Sequence, residues 1–404
     1  MRRLTIRNIG PISKADIEIT PWVIIVGGNA SGKTIISTIH YLTLFQSAPS
    51  MPWRINLGTI RAGVQETSIS VKELIEENRE LFKQLLTNEI RRLFNAEPHG
   101  LVKIGEDEGR IEVITDSLVL SVIIDRRGNA VGFDVNGDRK LSVIIEYAKS
   151  NYTQCISSGV VEDGQYRVSV MGSNTDCAAH IIGSYVLSRA FGDTWSPAAF
   201  LATERIAILA LHPGIMRLIL TPEPVTISKP LPLLMDFLRW IAPGEYREEL
   251  SGLTITYQPS AITIRSGGGN IPPSLVSTGI YQAFAIEAVA RNPIVRTMII
   301  EEPEINLHAD AEIRMVRYLA SIRDKNMFVT THSEWMVMGI AHELNRQGRL
   351  KDLRIYEIRN GNVVEVPIGK NGEVEALETI TPVREEYLRE IIEEVLSNEQ
   401  GNNH

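Results

Sequence analysis

Apolar residues are spaced along the chain in several distinct ways, and each spacing predicts a different element. The run Trp22 to Val26, followed at helical spacing by Ile35, Ile36 and Ile39, reads as strand, glycine loop and helix. Thr297 to Ile300 is a second apolar run, which ends in Glu301-Glu302-Pro303 and predicts a buried strand that the proline stops. The next strand, Met327 to Thr331, delivers His332. At the front, Met1 to Ile6 alternates as a strand does and does not open like a signal peptide. Between Ser68 and Phe94 apolar residues recur as on one or two amphipathic helices with core-facing stripes. Short alternating runs over 101–147, broken by Gly and Asp, predict an antiparallel lobe. Leu353 to Ile358 and Val363 to Val366 flank Arg359-Asn360-Gly361-Asn362, a hairpin signal, and Val383 to Leu396 reads as an acidic amphipathic helix, packed or solvated.

Composition narrows the classes. The 404 residues are 44% hydrophobic and 22% charged, enough for one large globular domain or a few small ones. No stretch approaches a membrane span, so a soluble, cytoplasmic protein with no membrane partner is expected. A net charge of −8 argues against a surface that holds nucleic acid unaided, while leaving room for a local basic stripe. Cys155 and Cys177 form no CxxC pair, which excludes a cysteine-rich zinc site and predicts buried thiols in a reducing compartment.

The chemistry begins at Gly27-Gly28-Asn29-Ala30-Ser31-Gly32-Lys33-Thr34. A glycine-rich turn between strand and helix points backbone N–H groups inward around phosphate oxygens. Lys33 then reaches the β/γ-phosphates, and Thr34 offers a hydroxyl to Mg2+ at a positive helix N-terminus. The pattern predicts nucleoside triphosphate binding. Hydrolysis needs a carboxylate near the metal and a base for water. Glu301 is the candidate for the first, directly or through water, and Glu302 for the second. A histidine at a strand end is usually a structural hydrogen-bonder, but His332 following the acidic pair is placed to sense the γ-phosphate. Ser277-Thr278-Gly279, before an apolar-periodic stretch, offers a second small-residue cradle; by itself it reads as a helix N-cap.

In order, these motifs resemble an ATP-binding-cassette-type ATPase of the SMC, RecF and OLD (overcoming lysogenisation defect) group, most closely its short AAA-labelled members. Leu4 to Ile12 with Ala15 to Ile19 is similar to the strand pair that begins such proteins, and Glu301-Glu302-Pro303-Glu304-Ile305-Asn306-Leu307-His308 to their Walker B and D-loop string. Leu201-Ala202-Thr203-Glu204-Arg205 resembles an element found midway in the short members; it also reads as a buried Glu–Arg pair at a strand end. The resemblance spans both ends of the chain and is weak over about 51–195.

It implies an α/β P-loop fold: a mixed central sheet, an antiparallel β lobe and a helical insert. One ATPase head would be built from 1–50 and about 196–404, with an inserted region of about 51–195. It also implies ATP and Mg2+ as cofactors, ATP in preference to GTP, and two heads sandwiching nucleotide as a homodimer. Lys33, Thr34, Glu301, Glu302 and His332 would act in cis, Ser277, Thr278 and Gly279 in trans, and Asn306 and His308 across the dimer. Three departures stand out: Glu301 where many relatives have Asp, an unusual signature string, and no assignable glutamine after the loop helix beyond Gln46 and Gln65. The insert sustains no heptads, so there is no long coiled-coil arm. The residues Ser333 to His404 are too few for a Toprim nuclease module, so DNA cutting would belong to another chain. The expected role is a slow ATPase switch in DNA repair or anti-phage defence, working with a nuclease or other effector and with DNA as a further partner. The alternatives are a nucleotide-gated DNA clamp with little hydrolysis and the soluble subunit of a transporter.

Overall fold

The computed structural model describes residues 2–46, 53–55, 61–128, 130–151, 156–162, 165–172, 176–191, 197–210, 231–248, 251–258, 261–272 and 275–401. In chain order, β1 (Arg2–Ile9), β2 (Ile12–Ile19) and β3 (Trp22–Gly27) lead into helix α1 (Lys33–Leu42). Then come β4 (Gly63–Ser70), α2 (Val71–Glu77), α3 (Arg79–Phe94), β5 (Glu108–Ile114), β6 (Leu118–Asp125), β7 (Ala130–Gly137), β8 (Lys140–Lys149), β9 (Ile156–Glu162), β10 (Gln165–Gly172) and α4 (Asp176–Phe191). β11 (Ala198–Leu201), α5 (Arg205–Ala210), β12 (Gly244–Arg247), β13 (Thr254–Gln258), β14 (Ala261–Ser266) and β15 (Gly269–Ile271) follow. The chain continues through α6 (Thr278–Ala290), β16 (Thr297–Glu301), α7 (Ala309–Ser321), β17 (Asn326–Thr331), α8 (Glu334–Arg346), β18 (Leu353–Arg359), β19 (Asn362–Glu365) and α9 (Thr381–Gly401).

The fold is α/β. Among the described residues a large mixed sheet runs in the order β11-β16-β17-β3-β18-β19-β2-β1-β5-β6-β7. Its half from β11 to β18 is parallel, and every residue of β3 and β16 is buried, as strands covered on both faces require. Two further sheets stand apart, β4-β8-β10-β9 and the antiparallel β12-β13-β14-β15.

Register decides what meets at the sheet's edge. Glu301 lies opposite Thr330, and Thr330 opposite Ile25. The carboxyl ends of β16, β17 and β3 therefore line up, and side chains leaving them share one crevice.

The antiparallel lobe read over 101–147 divides between two sheets. β5 pairs with β1, so β5 to β7 extend the large sheet, although the sequence groups them with an insert; β8 instead joins β4 and β10. The alternating burial of β5 and β7 fits a sheet with one solvated face. Two helices, α2 and α3, carry the apolar pattern that begins at Ser68, whose first residues close β4. The hairpin turn forms with Asn360 at φ 48° and Gly361 at φ 77°, as a type I′ turn needs. It docks on the start of β2, where Ser13 N–H donates to Gly361 O at 2.7 Å.

Helix α9 leaves Tyr387, Leu388, Ile391 and Ile392 exposed at 65, 57, 41 and 49%. No described helix is long and apolar enough to cross a membrane. Cys155 lies outside the described residues, as does the side chain of Cys177.

Candidate functional site

The glycine loop joins β3 to α1. At Gly32, φ is +111°, and a Cβ there would meet Ile12 Cδ1 at 2.6 Å and Pro11 Cγ at 3.0 Å, so conformation and space both require glycine. A Cβ on Gly27 would meet Ser31 Oγ at 2.8 Å, while Gly28 faces open space. Gly28, Asn29, Ala30 and Thr34 are exposed, and the Lys33 side chain folds back beneath them.

Its ammonium donates to Gly27 O at 2.9 Å and Gly28 O at 3.0 Å and lies 2.7 Å from His332 Nε2. A lysine ammonium has no lone pair, so Nε2 is the acceptor and the imidazole is neutral with its proton on Nδ1. Burial, then the Lys33 charge, holds the His332 pKa below its ordinary value, against a smaller opposing effect of Glu302. Glu302 Oε1 stands 3.4 Å from the same Nε2, which is therefore a close approach and not an ion pair. Burial also lowers the Lys33 pKa, countered by Glu302, Glu304 and Glu301 in turn.

Glu301 is 1% exposed, and its Oε1 accepts from Ser37 Oγ at 2.9 Å. Ser37 lies one helical turn beyond Thr34, so the acidic strand reaches α1 at a residue that the motif did not single out. Glu302 begins the turn after β16 with φ +46°, a left-handed conformation uncommon for glutamate. Glu304, which no single motif position marks out in the sequence, accepts at its Oε1 from Thr331 Oγ1 at 2.6 Å and from His332 N–H at 2.9 Å. It fixes the backbone that carries His332, and burial raises its pKa. Arg205 is fully buried, and its bonds to described residues go to carbonyl oxygens: Leu201, Ala202 and Glu301 from one terminal nitrogen, Glu302 from the other. Among the described residues no hydrogen bond joins Arg205 to Glu204, which accepts from Thr203 Oγ1 at 3.0 Å.

Lys33, Glu301, Glu302 and His332 are thus brought together in one crevice. Ser277 and Thr278 are exposed at the start of α6, and Gly279 packs on the segment that follows Glu302, where a Cβ would meet Asn306 O at 2.8 Å. Asn306 and His308 are exposed, His308 Nδ1 lying 2.6 Å from Asp310 Oδ1. Gln46 Oε1 accepts from Ala198 N–H at the start of β11, and Gln65 lies in β4 of a separate sheet. Pro273 and Ser274, just before Ser277, are outside the described residues.

The crevice suits a triphosphate. Ser31 Oγ is buried with no partner among the described residues, the first turn of α1 carries no acidic side chain, and Lys33 supplies a positive charge beside the glycine turn. The hydroxyl of Thr34 and the carboxylate of Glu301 are hard oxygen donors of the few-ligand kind that Mg2+ takes while keeping several waters.

No family model matches this chain, and no curated protein matches it in sequence. Among solved structures it is similar to an SMC head bound to the C-winged helix domain of ScpA, at 11% identity with a TM-score of 0.44, covering 91% of this chain and 98% of that one. It is similar also to the SMC head domain from Thermotoga maritima, at 14% identity and TM-score 0.37 with coverages of 91% and 98%. A third likeness is to the recombination mediator protein RecF of the RecFOR pathway, at 9% identity and TM-score 0.35, covering 90% and 97%. Such values transfer no residue's role. Across most of its length the chain is similar to SMC head domains and RecF.

Proposed function

We propose that this chain binds ATP and hydrolyses it slowly, and that the product of hydrolysis is a conformational change read by a partner. The single observation that carries this reading is the convergence of Lys33, Glu301, Glu302 and His332 at the carboxyl ends of β3, β16 and β17.

The loop N–H groups and the Lys33 ammonium bind and orient the phosphates. Glu302 is the base: its carboxylate takes a proton from the water that attacks the γ-phosphoryl group as the bond to the ADP oxygen breaks. His332, neutral and held by Lys33 and the Glu304-anchored backbone, offers a polar nitrogen beside that reacting group. With Mg2+ bound, Thr34 and Glu301 would hold it, and it would neutralise charge on the phosphate oxygens.

Ser277 and Thr278 are exposed at the start of α6, which leaves them accessible to the nucleotide of a second copy. On this reading ATP joins two heads and hydrolysis releases them, as a switch in DNA repair or anti-phage defence. The test is phosphate release by the purified chain with ATP and Mg2+, compared with Lys33→Ala. Turnover that depends on Lys33 supports the reading, and equal rates in both proteins contradict it.

A further inference from the structure

Glu302 has to keep its carboxylate at the crevice from a backbone conformation that glutamate rarely adopts, so the groups that hold its peptide matter. Its N–H donates to Thr330 O at 2.8 Å, tying it to β17. Its carbonyl oxygen accepts from Arg205 at 3.0 Å and from Gln282 Nε2 at 3.0 Å, and Ile305 N–H closes the turn onto it at 3.2 Å. The same Gln282 nitrogen lies 3.3 Å from Pro303 O, and the same guanidinium reaches Glu301 O at 2.7 Å. Both side chains are fully buried. Two carbonyl oxygens face the Gln282 amide, so only its NH2 end can point at them; its Oε1 is left buried with no partner among the described residues. A leucine would fill the site without that orphaned oxygen, so the amide costs stability and its donors are what it offers.

We propose that Gln282 and Arg205 are positioning residues, a two-armed clamp on the Glu302 carbonyl that holds the base in its reactive place. Arg205, the first residue of α5 just after β11, is the sheet-side arm. Gln282, one turn inside α6, is the helix-side arm, and it fixes the base relative to the helix that Ser277 caps. The proposal rests on the ATPase reading with Glu302 as base.

The test compares wild type, Glu302→Gln, Gln282→Leu and Gln282→Asn for ATP affinity, kcat, KM and melting temperature. Gln282→Leu matches the volume and removes the donors; Gln282→Asn keeps the amide one methylene short and covers the case in which leucine prevents folding. The expected result is a kcat lowered about 10-fold in either variant, which corresponds to about 1.4 kcal/mol. ATP affinity and KM should stay within about twofold, since no phosphate contact is touched. In a Glu302→Gln background, Gln282→Leu should lower the residual rate no further, because the clamp acts only through that carboxylate. Wild-type kcat in both Gln282 variants beside an inactive Glu302→Gln overturns the clamp alone, as does a loss that multiplies with Glu302→Gln. Absence of wild-type hydrolysis, or full activity in Glu302→Gln, overturns the ATPase reading and the clamp with it.

Discussion

Glu302→Gln separates binding from chemistry at this site. The substitution is nearly isosteric, and the side chain is about a quarter exposed. What holds residue 302 in place is backbone: its N–H on Thr330 O, and its carbonyl under Arg205, Gln282 and Ile305. None of these bonds involves the carboxylate, so the turn should keep its shape and stability should change by less than about 0.5 kcal/mol. What disappears is the proton acceptor. A positioned general base contributes roughly 10²–10⁴-fold, so turnover should fall at least about 100-fold, or about 2.7 kcal/mol in the barrier. Removing a negative charge next to bound phosphates should leave ATP affinity equal or tighter, and ATP should then hold the protein as a dimer. The assays are phosphate release under single turnover, equilibrium binding of a fluorescent ATP analogue, and light scattering with and without ATP. Wild-type turnover in Glu302→Gln would refute the assignment of the base, whatever the binding data show.

Gly32→Ala should cost about 1–3 kcal/mol in thermal unfolding and abolish ATP binding, since a methyl at φ +111° would strike Ile12 and Pro11. Gly279→Ala should slow turnover with ATP affinity retained, because its methyl would meet Asn306 O in the string that begins at Glu302; unchanged kcat would show that the string tolerates displacement. His40 is buried, stacks on Phe328 with ring centroids 4.5 Å apart, and has its pKa pushed well below 6.5 by burial and then by Arg2. The unfolded chain binds that proton first, so stability should fall with pH below about 6.5, by up to about 1.4 kcal/mol per pH unit from this residue. Replacing it, as His40→Phe, should flatten the melting temperature against pH between 6.5 and 5; an unchanged slope would assign the loss to other groups.

Where the geometry was local, the sequence revealed it. The glycine turn between β3 and α1 is readable because its glycines, lysine and threonine sit at fixed spacing between an apolar run and a helical one. The acidic strand end is readable because a buried run stops at two carboxylates and a proline. The Asn-Gly turn at 360–361 announces its own backbone conformation. Pairing between distant strands is another matter. β5 is alternating in the same way as β8, yet one joins β1 and the other β10, and nothing in either strand's own pattern distinguishes them. The same holds for side chains that act across the fold. Ser37 meets Glu301 because α1 lies against β16, and Arg205 reaches two carbonyls of the Glu301–Glu302 turn because β11 is the neighbour of β16. A faint signal existed for each: Ser37 lies one turn from Thr34, and an arginine that follows closely on a wholly buried strand must satisfy its donors somewhere.

The central claim is that a glycine loop near the front of the chain and an acidic strand end near its back serve one bound triphosphate. Equilibrium ATP binding, titrated with Mg2+, in wild type, Lys33→Ala and Glu301→Gln tests it most directly. Saturable binding that Lys33→Ala abolishes is expected, and in Glu301→Gln a marked rise in the Mg2+ needed for it. Binding that Lys33→Ala leaves intact, or a Mg2+ dependence unmoved by Glu301→Gln, would contradict it.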